Sequence, residues 1–385
     1  MQNRSRAVLT AVLVAAGVFC LGVAALSRFY AYPTLAVAPN DQFTEVVAAS
    51  GPEGAKVFDT ATLSEITTDL EPVRTVKAYK DLSEQASKDL DRKVVVYDMA
   101  IVTDKPGFVM PDDSSDPAKL PRSFSLERMV LDARTGESVA WKPKNPADGE
   151  FVSTSFDDEA EKDFADDKGP TEGRPPFEGH KGLVLKFPFD TQKKTYQFWE
   201  LNTRKAWPIE YKAEEKIQGL NTYKFVQEIP TTTISQIEGV PRATLKLPGQ
   251  GGVTVDRDYQ STRTIWVEPV TGAIIKAADK QYSTLQYQGE ARAIATDATF
   301  TYTDATVTKN VSGGKEPDGR DGGDYKSKAA QLTLIKSTVP LVTLILGLAL
   351  LAVAAFLQFR RPPARRRAGT PPPEPGPAEY NPDAY

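Results

Sequence analysis

His180 is the chain's single histidine, in the run Phe177-Glu-Gly-His-Lys. No histidine cluster can therefore build a metal site, and a Ser-His-Asp relay would rest on this one residue. The flanking turn residues make it a loop histidine in this reading. Asp157, Asp158, Glu159, Glu161, Asp163, Asp166 and Asp167 form an acidic run that suits weak calcium binding. It lacks the spacing and central glycine of an EF-hand, so it reads as a solvated loop, as do residues 318–324. Pro248-Gly-Gln-Gly-Gly252 has the composition of a phosphate cradle but is followed by strand-like residues rather than a helix start, which makes it a hairpin tip. There is no Gly-x-Ser-x-Gly elbow and no Walker-type Gly-Lys-Ser/Thr. Nothing in the spacing of the acids selects two for glycosidase-like work. The expectation is a protein that is not an enzyme, with no catalytic residue, cofactor or metal.

The densest chemical feature is aromatic. Residues 177–211 contain Phe177, Phe187, Phe189, Tyr196, Phe198, Trp199, Trp207 and Tyr211. Such density either fills a core, the default reading, or lines a cavity for an apolar ligand. If a sheet curls around an unfilled interior, Phe187, Phe189, Tyr196, Phe198, Trp199, Trp207 and Tyr211 are the candidate lining for an acyl chain.

The elements that position these residues are mainly strands. From Val94 onward the chain is rich in Thr, Val, Tyr and Phe punctuated by Gly and Pro, and strands are predicted at 92–103, 123–131, 182–189, 194–201, 209–216, 222–229, 263–267 and 273–280. The short spacings imply antiparallel pairing, because parallel strands need long crossovers. A short helix is predicted at 82–90. Two segments, Arg128 to Trp141 and Thr264 to Lys276, share an apolar run, an acid, a Thr-Gly turn and a second apolar run. Both read as hairpins, and a duplicated half-domain is one explanation of the likeness.

Residues 7–26 and 339–359 are uncharged runs of 20 and 21 residues, each long enough to span the roughly 30 Å hydrocarbon layer. Arg4 and Arg6 precede the first, and Arg28, Phe29, Tyr30 and Tyr32 follow it; five arginines lie within 360–367 beyond the second. Positive residues stay in the cytoplasm, so both termini are expected inside the plasma membrane and residues 31–335 outside it. This gives a cytoplasmic segment 1–6, a span 7–26, an extracytoplasmic antiparallel β-rich domain 31–335, a span 339–359 and a cytoplasmic tail 360–385. That tail is Arg-rich and then Pro-rich, with polyproline II character, and is either inert or a docking segment for a protein partner.

Nine of the 47 Lys and Arg but only three of the 51 Asp and Glu fall in residues 1–30 and 336–385, leaving 38 basic and 48 acidic residues between them. An acidic surface of this kind argues against nucleic acid as a partner. The single cysteine, Cys20, lies in the first apolar run, so no internal disulfide forms.

The run Gly182-Leu-Val-Leu-Lys-Phe-Pro-Phe189, the strand Tyr196-Gln-Phe-Trp199, the stretch Ile217 to Phe225 and Trp266-Val-Glu-Pro-Val-Thr-Gly272 together resemble the actinobacterial porin PorA family. The resemblance covers nearly the whole chain and implies an envelope protein with the same two-helix topology; it brings no catalytic residues. Neither apolar run carries a polar stripe that would line a channel. The reading at this stage is an envelope protein whose exported domain binds or presents a lipid or other apolar component. A scaffolding membrane subunit and an oligomeric, porin-like transport component are the alternatives.

Overall fold

The computed structural model of the chain describes residues 2–59, 64–111, 119–154, 163–164, 175–217, 219–303, 307–311 and 323–359. Its contacts divide the chain into two units, Met1–Leu26 with Val339–Tyr385, and Ser27–Thr338. The helices are α1 (Gln2–Leu26), α2 (Tyr32–Leu35), α3 (Lys80–Asp89), α4 (Gly323–Thr333) and α5 (Val339–Phe359). The stretches Ser5–Leu35 and Tyr325–Phe359 are long and apolar enough to cross a membrane.

In the first unit α1 and α5 pack side by side. A Cβ on Gly17 would stand 2.8 Å from the Leu351 side chain and 3.1 Å from the Gly347 carbonyl, and a Cβ on Gly347 would stand 2.9 Å from the Gly17 carbonyl. Gly347 also faces Leu21. Position 17 thus meets 351 while 21 meets 347, so the helices are antiparallel, with the start of α1 beside the end of α5. Backbones approach this closely only where side chains are absent, as in lipid-embedded pairs that depend on van der Waals contact. The remaining faces expose Val12, Val18, Phe19, Leu341, Ile345 and Phe356. Pro340 closely follows the π-helical turn Leu334–Thr338, an irregularity that accommodates a residue without an N–H in a continuous helix.

The second unit is mainly β and wholly antiparallel in its named strands. In chain order they are β1 (Phe43–Val47), β2 (Ala49–Ser50), β3 (Ala55–Asp59), β4 (Ser64–Thr68), β5 (Glu71–Ala78), β6 (Val94–Asp104), β7 (Ser123–Asp132) and β8 (Phe151–Ser153). Then follow β9 (Asp163–Phe164), β10 (Tyr196–Glu200), β11 (Lys205–Ile217), β12 (Leu220–Pro241), β13 (Gly252–Glu268), β14 (Ala273–Tyr287), β15 (Glu290–Thr303) and β16 (Val307–Val311). One sheet runs β16-β1-β5-β6-β7-β8-β9, the other β10-β11-β12-β13-β14-β15-β3-β4 with β2 beside β15. Both are open among the described residues.

Alternation places the core. On β6, Val95, Tyr97, Met99 and Ile101 face one side with Met129 and Leu131 of β7, and meet Phe177, Val184 and Trp199. Val94, Val96 and Val130 face the other side, under α3 with Ala86 and Trp141. Ser83 of α3 fixes that docking, accepting from the Val96 N–H at 2.9 Å and donating to the Tyr79 carbonyl at 2.6 Å. Pro230 falls where β11 has ceased to pair with β12 and the β12–β13 register shifts between Ile229 and Thr232. A residue without an N–H is tolerated at such a bulge on an unpaired side.

The predicted strand at 182–189 is not one. Leu183 makes single bridges to Glu137 and to Phe198, and the rest of the segment is irregular. Its backbone partners change at every step: Ser138 donates to Gly182, Leu183 to Gln197, Phe187 to Gly272 and Phe189 to Arg134. The segment pins the two sheets together instead of joining either. Both Thr-Gly turns close on it. Gly272 has φ +73°, and a Cβ there would lie 2.1 Å from the Phe187 carbonyl; at Gly136 the nearest atom is the Lys186 carbonyl at 2.9 Å. Residues 264–276 form a true hairpin, whereas after the first turn there is only the bridge Leu131–Ser138. The acidic run Asp157 to Asp167 falls outside the described residues apart from β9, as do residues 318–322 and the arginine and proline segments of 360–385.

Candidate functional site

The seven aromatic residues named from sequence do not share one surface. Phe187, Tyr196 and Phe198 pack with Phe225, Ile209 and Ile265 between sheet and pinning segment, with ring centroids 4.6 to 5.9 Å apart. Half-buried Tyr211 flanks this cluster. Trp199 belongs to the other core with Phe177. Trp207 packs on Ile229, Ile234 and Tyr259, and Phe189 on Tyr32, Ala36 and Leu332.

An open groove of about 250 Å³ lies on the second face of the first sheet. Register builds it: Glu71 stands opposite Asp104, Val73 opposite Val102, and Thr75 opposite Glu45, all with the parity of the face that α3 covers elsewhere. The loop after β6 closes one side with Lys105, Phe108 and Met110. Asp104 holds that loop, accepting from the N–H of Lys105 at 2.6 Å and of Arg122 at 2.9 Å. The result is a floor of Val73 and Val102, walls of Phe108 and Met110, and a polar rim of Glu45, Glu71, Thr75, Asp104 and Lys105. Val109, between those walls, is 83% exposed. The volume is just below the usual range for drug-sized ligands, so it suits one end of an apolar molecule rather than a whole lipid.

The sequence makes His180 a loop histidine, and its segment is irregular, with the ring buried. Nδ1 lies 3.1 Å from Glu150 Oε1 and Nε2 3.2 Å from Glu127 Oε2, with all three residues in the interior. The Trp199 indole donates to the same Glu127 oxygen at 2.9 Å. Burial alone would push the imidazole pKa down, yet the hydrogen bonds and charges of Glu127 and Glu150 lift it to about 9. At neutral pH this is an imidazolium between two carboxylates. Both nitrogens are committed to carboxylates, and the ring ties β7 to Glu150, the residue before β8, and to the segment that leads into 182–189. A signal existed in the sequence, since Glu127 stands on the face of β7 that carries Met129 and Leu131, where a charge needs a buried partner. The partner lies 53 residues away, which periodicity does not report.

A second buried polar centre crosses the larger sheet. Arg263 of β13 donates to Glu200, to Asp279 at 3.1 Å, to Gln227 Oε1 at 3.2 Å and to the Trp199 carbonyl at 3.3 Å.

The sequence pattern of the family described as porin PorA matches residues 9–356, helices and β domain together. The chain belongs to the porin PorA family. A Corynebacterium amycolatum protein named porin PorA is 25% identical over 198 residues, covering 45% of this chain. The chain spans 47% of that relative's length. Its namesake in Corynebacterium resistens is 23% identical over 347 residues, covering 75% of this chain and 79% of the relative. Membership supports a porin-like envelope protein, and the two apolar helices fit a membrane location.

Proposed function

We propose that the chain is a non-enzymatic, membrane-tethered envelope protein whose exported domain, residues 31–335, takes the apolar end of an envelope lipid in the Val73–Val102–Phe108–Met110 groove. In this reading residues 7–26 and 339–359 cross the plasma membrane and both termini are cytoplasmic. One observation carries it: an open groove with the apolar floor and walls of Val73, Val102, Phe108 and Met110 inside a charged rim, beside the exposed Val109, in a domain whose chain continues at both ends into an antiparallel pair of apolar helices. The buried rings of Phe187, Tyr196, Phe198 and Trp199 stiffen the scaffold. Phe189, Trp207 and Tyr211 retain ring surface for contact with a ligand.

The test is photocrosslinking of full-length protein in native membranes with a lipid carrying a diazirine at the acyl terminus, followed by peptide mapping. Labelled residues within 102–110, lost in Val102→Asp, support the groove. Labelling confined to the two helices counts against it, and labelling at Trp207 and Tyr211 moves the site to the larger sheet.

The name carried by the relatives favours transport as a second reading. One pair of helices without a polar stripe encloses no aqueous path, so conduction would need several copies. Conductance steps across planar bilayers that vanish when residues 339–359 are removed would establish it.

A further inference from the structure

The ring of Tyr32 sits where the chain leaves the first apolar helix and is 2% exposed. Three cations stand over it: Arg134 Cζ at 5.6 Å, Lys336 Nζ at 5.6 Å and Arg28 Cζ at 5.9 Å from its centroid. They come from three separate places, the residues after α1, the first Thr-Gly turn and the residues before α5. A ring has two faces, so at least two of the three share one.

Lys336 pairs with Asp190. Arg28 and Arg134 are exposed and have no carboxylate within 4.0 Å among the described residues. Two buried polar atoms here also lack a partner, the Tyr32 hydroxyl and the Lys186 ammonium. Lys186 lies 3.9 Å over the Phe189 ring, and Phe189 packs against Tyr32. An unsatisfied hydroxyl in the interior forfeits a hydrogen bond, and a buried ammonium is costlier still. An acceptor carrying negative charge would satisfy both guanidinium forks, which stand over the ring whose hydroxyl is unpartnered. The concentration is not a by-product of composition, since residues between 30 and 336 hold 38 basic against 48 acidic groups. Next to it Phe29 and Tyr30 are 79% and 69% exposed, the residue types that settle at the boundary between lipid and water.

We propose that the surface around Tyr32, built by Arg28, Arg134 and Lys336 with Lys186 behind them, binds the phosphate of an anionic phospholipid headgroup. Guanidinium groups fit phosphate oxygens in pairs, while Lys336, paired with Asp190, holds the ring between them. Residue 28 lies in the π-helical turn that follows α1 and residue 336 in the one that precedes α5, so along the chain both are a few residues from the apolar runs, as a headgroup ligand requires. The proposal concerns the headgroup and goes beyond the groove, sharing with that reading only the membrane tether.

The experiment uses the full chain in nanodiscs of phosphatidylcholine with a minority of phosphatidylglycerol, and native mass spectrometry of the released protein counts the lipids retained. Wild type is expected to retain phosphatidylglycerol in preference to phosphatidylcholine. Each arginine changed to Gln should cut that preference about fivefold, and Arg28→Gln with Arg134→Gln about thirtyfold. Arg134→Lys, at an exposed turn, keeps the charge and should restore much of what Arg134→Gln loses, which separates binding from misfolding. Equal preference in wild type and the double variant, with matching thermal unfolding, would overturn the site. Displacement of the lipid by millimolar inorganic phosphate would also overturn it, by assigning the cluster to a soluble phosphate.

Discussion

His180 makes the stability of the β domain depend on pH in a calculable way. Its imidazole pKa is about 9 in the folded protein, against 6.5 when exposed. A base held more tightly in the folded state contributes stability that is complete below pH 6.5 and is lost as pH rises through about 9. At about 1.4 kcal/mol per pH unit the span corresponds to roughly 3 kcal/mol, or about 6 °C of melting temperature for a domain of this size. The side chain is fully buried, so solvent screening takes little from this figure.

Lys186 acts in the opposite sense. Burial lowers its pKa from 10.5 to about 7 despite the nearby Asp132, so its cost is complete below pH 7 and fades as pH rises to 10.5. The two slopes offset each other between pH 7 and 9, and wild type alone therefore reports neither. The informative measurement is urea unfolding of the full chain between pH 6 and 9.5, followed by the fluorescence of its four tryptophans, among them Trp199, whose indole donates to Glu127. It compares wild type with His180→Asn, which does not titrate. The difference between the two should be largest at pH 6 and shrink by roughly 3 kcal/mol by pH 9.5. A difference that stays constant over that range would refute the imidazolium-between-carboxylates account.

Other consequences can be measured directly. Glu127→Gln leaves the buried imidazolium with one carboxylate and should cost about 3 kcal/mol at pH 6 in the same unfolding assay; a loss under 1 kcal/mol would mean that the charge on Glu127 is dispensable. Lys186→Met removes a buried ammonium and should raise stability at pH 6 more than at pH 10, so equal effects at both values would contradict the burial. Gly272→Ala forces a Cβ toward the Phe187 carbonyl at a positive φ and should cost about 2–4 kcal/mol, again read by urea. In the helical hairpin, a Cβ at residue 347 would stand 3.2 Å from that of Cys20. Gly347→Cys should therefore form an intramolecular disulfide with Cys20 under mild oxidation, detected after proteolysis as one linked peptide pair; only intermolecular dimers would contradict the antiparallel packing.

Local pattern revealed much of the fold. The apolar runs at 7–26 and 339–359 became α1 and α5, because a run of that length lacking charge leaves a chain few solvents but lipid. Alternation located β6, β7, β10, β11 and α3 within a few residues, although β12, β13 and β14 run well past the predicted ends, paired in register with one another. The failure at 182–189 has a physical cause: its apolar residues are real, but its backbone groups are divided among partners on two sheets, so no ladder forms.

By itself the sequence determined what depends on neighbours along the chain: two membrane-length helices, antiparallel strands with a mainly β content, and Thr-Gly turns that need glycine. Tertiary structure alone decided what depends on strand order. That order placed Glu127 and Glu150 on either side of His180, divided seven aromatic residues among four clusters, and left part of one face of the first sheet uncovered as a groove. It also gathered Arg28, Arg134 and Lys336 over one tyrosine. Period-two alternation tells which face a side chain takes, but which distant residue shares that face follows only from how the sheets are assembled.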